Sequence, residues 1–456
     1  MKKKNNYQTR SLLLIIFGLL LWLSLTRADL SISARLEVIA VDRQADIQSL
    51  RLNFPLDPLL DDGQKIYFLV EAKYLEAIKQ SGYSFSLETG RFLTASKPGW
   101  PQWLRPQGGL NGAYHSYQEL ASELKALAAA YPTLARLQVI GRSLENRNIY
   151  ALKVSDQPGL AENEPGVAFL GCHHAREWIS VEVPLLIGKY LLENYSRDSQ
   201  VKTLVDSAEI WLVPLVNPDG LEYSILNYRL WRKNRRLNQD GSYGVDLNRN
   251  FSYGWAYDNL GSSPEPDSAV FRGTAPFSEP ETAAIRSLFE THRMAAAISY
   301  HSYSQLILYP WGYLDQPTED ELLFQRLAED MAALIYQING RVYPAGRAAS
   351  LLYVTNGDFT DWAYGFYRIP AFTIELPPVD LLQGGFWNSE EDIQPIFQEN
   401  LPAALYLINW AISSYDGSRV TRVRPDRFLN QGLENNEAES IIKGRLGAAF
   451  KGKESR

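Results

Sequence analysis

In the segment Gly-Cys-His-His-Ala-Arg-Glu-Trp (171 to 178), Glu177 follows His174 by three residues, so one local turn can present an imidazole and a carboxylate to the same point. Two His and one Glu form a common protein ligand set of hydrolytic zinc, which keeps its fourth position for water. The third ligand must come from elsewhere in the fold. The chain has only five histidines (115, 173, 174, 292 and 301), and His301 closes the strand-like run Ala-Ala-Ile-Ser-Tyr-His (296 to 301). His173 cannot replace His174 in the pattern, because the residue three positions after it is Arg176. His-x-x-Glu alone is a weak signal, and its bland reading is a pair of solvated polar residues. The surrounding residues decide between the two.

A hydrolytic site that works at a chain end needs a base for the water, a cation for the developing negative charge and a clamp for a terminal carboxylate. Leu-Trp-Arg-Lys (230 to 233) offers Arg232, and Gly-Val-Asp-Leu-Asn-Arg-Asn-Phe (244 to 251) offers Asn248 and Arg249. In Ala-Phe-Thr-Ile-Glu-Leu (371 to 376) a lone carboxylate, Glu375, sits inside an apolar β-type run. A charge buried there is costly unless it is paired or used. The alternative is a strand residue facing solvent. Against it, Phe372, Ile374 and Leu376 do not alternate cleanly with polar neighbours.

Together these segments resemble the zinc metallocarboxypeptidases of the carboxypeptidase A, B and T type, over roughly residues 113 to 415. The resemblance rests on separated motifs in one order: Gly-Arg-Ser-Leu-Glu-Asn-Arg (141 to 147), His-His-Ala-Arg-Glu-Trp-Ile (173 to 179), Val-Asn-Pro-Asp-Gly (216 to 220), Leu-Trp-Arg-Lys, Val-Asp-Leu-Asn-Arg-Asn (245 to 250), Arg-Gly-Thr-Ala-Pro-Phe-Ser-Glu-Pro-Glu (272 to 281) and Tyr-His-Ser-Tyr (300 to 303). It implies one zinc ion on His174, Glu177 and His301, with Glu375 as base. It implies Arg232 and Arg176 lining the cleft, Asn248 and Arg249 holding the substrate's terminal carboxylate, and Tyr353 as a mobile tyrosine over bound substrate. Thr360 falls where relatives set specificity. Two residues earlier stands Asp358, in a pattern similar to the bacterial carboxypeptidase T type. Asp358, with Leu308, Gly312 and the Thr360 methyl, suggests acceptance of apolar or aromatic and of basic C-terminal residues; the other reading of Asp358 is a helix N-cap. Two further readings use the same ligands or scaffold: a cell-wall amidopeptidase and a non-catalytic binding protein.

The chain of 456 residues is longer than one typical domain, and its 45% hydrophobic and 21% charged content is ordinary for globular protein. A formal net charge of -7 without a single-sign block argues against a nucleic-acid partner. Peptide or protein C-termini are the expected substrates, an activating protease a possible partner, and a monomer the expected state. Three lysines, Arg10 and an apolar stretch from Leu12 to Leu25 read as a signal segment, with Thr26-Arg27-Ala28 as the cleavage site or, if uncut, as the edge of a membrane anchor. Export follows from either. The one cysteine, Cys172, has no intramolecular partner and is read as a small buried residue rather than a ligand. His115 and His292 read as surface or packing residues, and His173 as either a packing residue or a support beside the ligand.

Five segments are expected: 1 to 28 as signal or anchor, 29 to 96 as a small α+β unit, 97 to 112 as a Pro/Gly-rich linker, 113 to 415 as the catalytic domain and 416 to 456 as a polar tail. The α+β unit has strands over 35 to 41, 65 to 70 and 83 to 87 and a helix from Tyr74 to Gln80. By resemblance it is an inhibitory prosegment, otherwise a permanent accessory domain. In the catalytic part, strands at 137 to 141, 149 to 154, 167 to 170, 210 to 216, 296 to 300 and 372 to 376 are separated by helices such as 117 to 130, 181 to 192 and 279 to 291. This predicts an α/β fold with a mixed, mostly parallel sheet covered by helices on both faces. The tail is either disordered or carries a surface-anchoring helix.

Overall fold

The computed structural model describes residues 36–42, 44–45, 50, 56–61, 64–88, 111–379 and 383–415. The expected signal segment, the linker up to residue 110 and the tail from 416 onward lie outside the described residues. Among the described residues no helix is long and apolar enough to cross a membrane.

Two compact units are present, Met1–Ser96 with Gln239–Ser242, and Lys97–Asn238 with Tyr243–Arg456. In the first, β1 (Leu36–Asp42), β2 (Asp57–Asp61), β3 (Lys65–Glu71) and β4 (Phe85–Leu87) form an antiparallel sheet in the order β2-β3-β1-β4. The helix Leu75–Gln80 follows a 3-10 turn at Ala72–Tyr74, and Ile39, Val41, Phe68, Val70 and Ile78 close a core of their own. The sequence does not predict β2, since only Pro58, Leu59 and Leu60 stand between Asp57 and Asp61, too short a run to show a strand pattern.

The second unit is an eight-stranded sheet in the order β11-β10-β12-β9-β7-β8-β6-β5, made of β5 (Ala135–Arg142), β6 (Asn148–Val154), β7 (Gly166–Gly171), β8 (Glu209–Val213), β9 (Met294–Ser302), β10 (Leu306–Tyr309), β11 (Ala345–Arg347) and β12 (Ala371–Leu376). Four of its seven pairings are parallel and three antiparallel. The mixed sheet is as expected. The run expected to extend to Val216 stops at Val213, ahead of Pro214, which has no N–H to give a ladder.

Period-two alternation splits each central strand between two buried faces. Val167, Phe169, Ile298, Tyr300, Phe372, Ile374 and Leu376 pack with helices Tyr117–Ala130, Ile179–Asn194, Glu321–Asn339 and Ile393–Ser414. Ala168, Leu170, Ala297 and Ala371 pack with helices Pro280–Thr291 and Phe359–Tyr367 and with Leu247 and Phe251. Burial on both faces removes the alternation that a half-exposed sheet would show. Each of the larger apolar chains contributes about 1.5–3 kcal/mol relative to exposure.

Parity also carries the polar residues. His301 and Glu375 share the odd positions of Ala297 and Ala371, so they lie on the face that carries Leu247, Phe251 and Phe359. They are directly paired in register, Glu375 with His301, at the carboxyl ends of two adjacent parallel strands. The third strand of that parallel set, β7, ends at Gly171 opposite Tyr300. Sites in open α/β sheets gather at such ends.

Candidate metal centre and substrate cleft

Beyond β7 the chain turns sharply under close packing. A Cβ on Gly171 would stand 2.0 Å from the Ser180 carbonyl oxygen and 2.8 Å from that of Pro214, so no other residue fits without moving backbone. The Cys172 N–H donates to Ser180 Oγ (3.0 Å), and Ser180 Oγ donates to the Glu177 carbonyl (2.5 Å). Buried Asn217 donates from its backbone to the Cys172 carbonyl (3.1 Å) and from Nδ2 to that of His173 (3.1 Å). The turn 172 to 178 is therefore held at both ends. Two of the recurrent motifs serve this scaffold: Ser143 Oγ, the Glu145 N–H and Arg147 all donate to the Asp219 carboxylate, which fixes the helix Pro218–Leu226 that Asn217 caps.

Out of this turn His174 and Glu177 meet His301. His174 Nδ1 lies 2.8 Å from Glu177 Oε1 and 3.1 Å from His301 Nδ1, and His301 Nδ1 lies 2.9 Å from Glu177 Oε2. All three side chains are buried, and their ligand atoms lie within 4.8 Å of one another. The opposite nitrogens have partners of their own: His174 Nε2 meets Asp246 Oδ1 at 3.1 Å, and His301 Nε2 meets Ser299 Oγ at 3.0 Å. Both nitrogens of His174 face carboxylates that can only accept; with a cation shared between Nδ1 and Glu177, the ring proton falls to Nε2 against Asp246 and Nδ1 offers its lone pair. Lone pairs and a carboxylate facing one another in a buried space fit a shared cation, with the far nitrogens orienting the rings. The donor set of nitrogen and oxygen matches zinc.

Asp246 is the functional residue that the sequence reading missed. Its Oδ2 accepts from Arg232 Nε (3.0 Å) and Nη2 (2.9 Å) while its Oδ1 holds His174, so one buried carboxylate links a metal-site imidazole to the proposed oxyanion cation. Burial alone would raise its pKa, but the charges of Arg232, His174 and Arg249 hold it well below the ordinary carboxylate range. The signal existed: a lone acid between Val245 and Leu247 is the feature that singled out Glu375.

Glu375 is nine-tenths buried, and its carboxyl is pushed well above the usual range by burial and then by the charge of Glu177. The charges of Arg232, Arg176 and Arg249 pull the other way. Arg176 stacks on the Phe386 ring, 4.1 Å from its centroid. Arg249 donates from Nε to the Gly261 carbonyl (2.7 Å) and from Nη1 to that of Asn248 (2.8 Å), and lies 6.0 Å from the centre of the Tyr353 ring. Asn248 donates its N–H to Asp246 Oδ1 (3.0 Å) and accepts from the Phe359 N–H (2.9 Å).

The residues expected to set specificity are also brought together, with one exception. Asp358 caps the helix Phe359–Tyr367: its Oδ1 accepts from the Asp361 N–H (2.8 Å) and Thr360 Oγ1 (2.9 Å), and its Oδ2 from Thr355 Oγ1. The cap reading of Asp358 is thus realised. A Cβ on Gly312 would lie 2.2 Å from Thr355 Oγ1 and 2.4 Å from Asp358 Oδ2, so only glycine lets the backbone pack against this cap. Asp361, buried behind it, accepts from the Gly312 and Tyr313 N–H groups (2.8 and 2.9 Å). Leu308 is the exception; it packs in a small cluster with Leu306 and Ala348.

Cys172 is buried, its Sγ facing the His174 carbonyl at 3.5 Å, and it is not among the converging ligand atoms. His115 bridges Glu182 (2.8 Å) and Glu123 (2.9 Å). His292 packs on Trp211, with ring centres 4.1 Å apart.

Comparison with known proteins agrees with this geometry. The zinc carboxypeptidase family model matches residues 120–403. A zinc carboxypeptidase of Saccharothrix mutabilis subsp. capreolus is 33% identical over 374 residues, 78% of this chain and 84% of the relative. Carboxypeptidase O of Bos taurus is 32% identical over 324 residues, 70% and 84% of the two chains. Among solved structures, the carboxypeptidase A from Helicoverpa armigera superposes with a TM-score of 0.69 at 26% identity, covering 84% of this chain and 99% of its own. Thrombin-activatable fibrinolysis inhibitor gives 0.67 at 26% identity, covering 84% and 100%. The chain belongs to the zinc carboxypeptidase family and is a metallocarboxypeptidase, a hydrolase whose cofactor is one zinc ion.

Proposed function

We propose that this enzyme removes C-terminal residues from peptides and proteins, with zinc on His174, Glu177 and His301, and that it accepts both apolar or aromatic and basic ends. The observation that carries the reading is the convergence of three ligand atoms at one end of the sheet, with Glu375 paired in register beside His301. Bound there, zinc supplies a Lewis acid for the scissile carbonyl and lowers the pKa of its water to about 7.

The protein groups do the rest. Glu375 takes the proton of the attacking water and passes it to the leaving amine; its buried position suits it to hold that proton between the two steps. Arg232, oriented by Asp246, faces the oxyanion, and Arg176 lines the cleft. Asn248 and Arg249 clamp the terminal carboxylate, for which the planar guanidinium suits a bidentate contact. Tyr353 closes over the substrate.

The test is a set of matched peptides ending in Phe, Leu, Lys or Arg, assayed on the wild type and on Asp358→Asn. The wild type should release the single terminal residue from all four; release from none would overturn the reading. Asn caps a helix about as well as Asp, so this substitution removes the charge while keeping the fold. It should lower kcat/KM for Lys and Arg ends by about 1.5–3 kcal/mol, the worth of a hydrogen bond to a charged group, and spare Phe and Leu ends. An equal loss on both classes would assign Asp358 to capping alone.

We further infer that the protein is exported and made as a zymogen, with residues 29 to 96 as prosegment. The full-length form should be nearly inactive on small peptides until it is cut between residues 97 and 112, and the isolated segment should inhibit in trans. Equal activity before and after cleavage would mark that segment as an accessory domain.

A further inference from the structure

His301 is braced by a chain of two residues that the reaction does not use. Its Nε2 lies 3.0 Å from Ser299 Oγ, and the same hydroxyl lies 3.1 Å from His173 Nδ1. The rings of His173 and His301 stack with centres 5.5 Å apart and planes 12° apart. His173 and Ser299 are completely buried, and the His173 backbone carbonyl is tied by Asn217.

Hydrogen bonding gives this chain one direction. If His301 Nδ1 offers its lone pair to zinc, the neutral ring carries its proton on Nε2 and donates it to Ser299 Oγ. A serine hydroxyl has one proton to give, and His173 Nδ1 receives it. The remaining proton of His173 then lies on Nε2, which has no hydrogen-bond partner among the described residues and sits beside the Phe251 ring, 5.9 Å between centres. In the opposite direction Ser299 would donate to His301 Nε2, the proton would move to Nδ1, and the metal would lose its lone pair.

We propose that Ser299 and His173 are positioning residues that select the metal-binding tautomer of His301, a neutral counterpart to the carboxylate that orients His174. The inference rests on the zinc site proposed above. Partners of this kind are typically worth about 10–100-fold in metal affinity.

The test is zinc affinity of the full chain, measured by competition of zinc alone with a chromogenic chelator after dialysis to the metal-free form. Ser299→Ala should weaken zinc binding by about 10–100-fold. His173→Asn, which keeps an acceptor near the place of Nδ1, should stay within a fewfold of the wild type, whereas His173→Leu should lose about tenfold or more. A packing role predicts the reverse order, because Leu suits the aromatic surroundings of His173 better than Asn. Unchanged affinity in Ser299→Ala, or Leu performing as well as Asn, would overturn the proposal while leaving the zinc site intact. Failure of the wild type itself to bind one zinc would overturn both.

Discussion

Glu375→Gln is expected to keep its zinc and its substrate affinity while turnover falls by the ~10²–10⁴-fold typical of a positioned acid-base group. Gln matches Glu in size, so β12 and its pairing with His301 should be undisturbed; what disappears is the ability to accept a proton. The position suits the role in two ways. Burial and the charge of Glu177 push the Glu375 carboxyl well above the usual range, against the opposing pull of three guanidinium groups, which suits it to hold the proton taken from water. The carboxylate also lies beside the metal ligands without being among the three converging ones. Near-wild-type turnover in a metal-loaded Glu375→Gln enzyme would remove Glu375 from the mechanism.

Larger still is the expected effect of removing a ligand. His174→Ala and His301→Ala each delete one of three donor atoms and leave the others in a buried space, so bound zinc should fall well below one per chain and activity should vanish with it. Metal analysis beside the peptide assay reads both at once. Cys172→Ser is the companion, since the thiol lies two residues from His174, faces its backbone carbonyl and is not among the converging ligand atoms; it should remain metallated and active. Unchanged metal content in both histidine variants would place the zinc elsewhere.

The motifs made much of this site legible before any coordinates. The His-x-x-Glu spacing, the histidine at the end of a strand and the carboxylate inside an apolar strand all depend on short-range pattern, and the structure brings all of them to one end of the sheet. What sequence pattern could not supply was the partnering. The role of Asp246 carries no local signal, because it lies in hydrogen bonds to two residues, 72 and 14 positions away. Ser299 is equally silent, because a serine in a strand carries no pattern of its own. Asp358 shows the reverse problem: a cap and a pocket carboxylate share one local signature, and the structure realises the cap while leaving the charge at the place proposed for specificity. In the fold, the central parallel strands were readable as unbroken apolar runs, whereas β10 and β11, four and three residues long, were too short to stand out from their loops.

The central claim is that the zinc centre works at a free chain end. The most direct measurement compares kcat/KM for matched peptides that differ only in a free or an amidated C-terminus. If Asn248 and Arg249 bind the terminal carboxylate, amidation removes their charged partner, and kcat/KM should fall by at least the ~10-fold that a lost charge-assisted hydrogen bond implies. Equal cleavage of the amidated and free peptides would contradict exopeptidase action and favour an amidase or endopeptidase working from the same metal ligands.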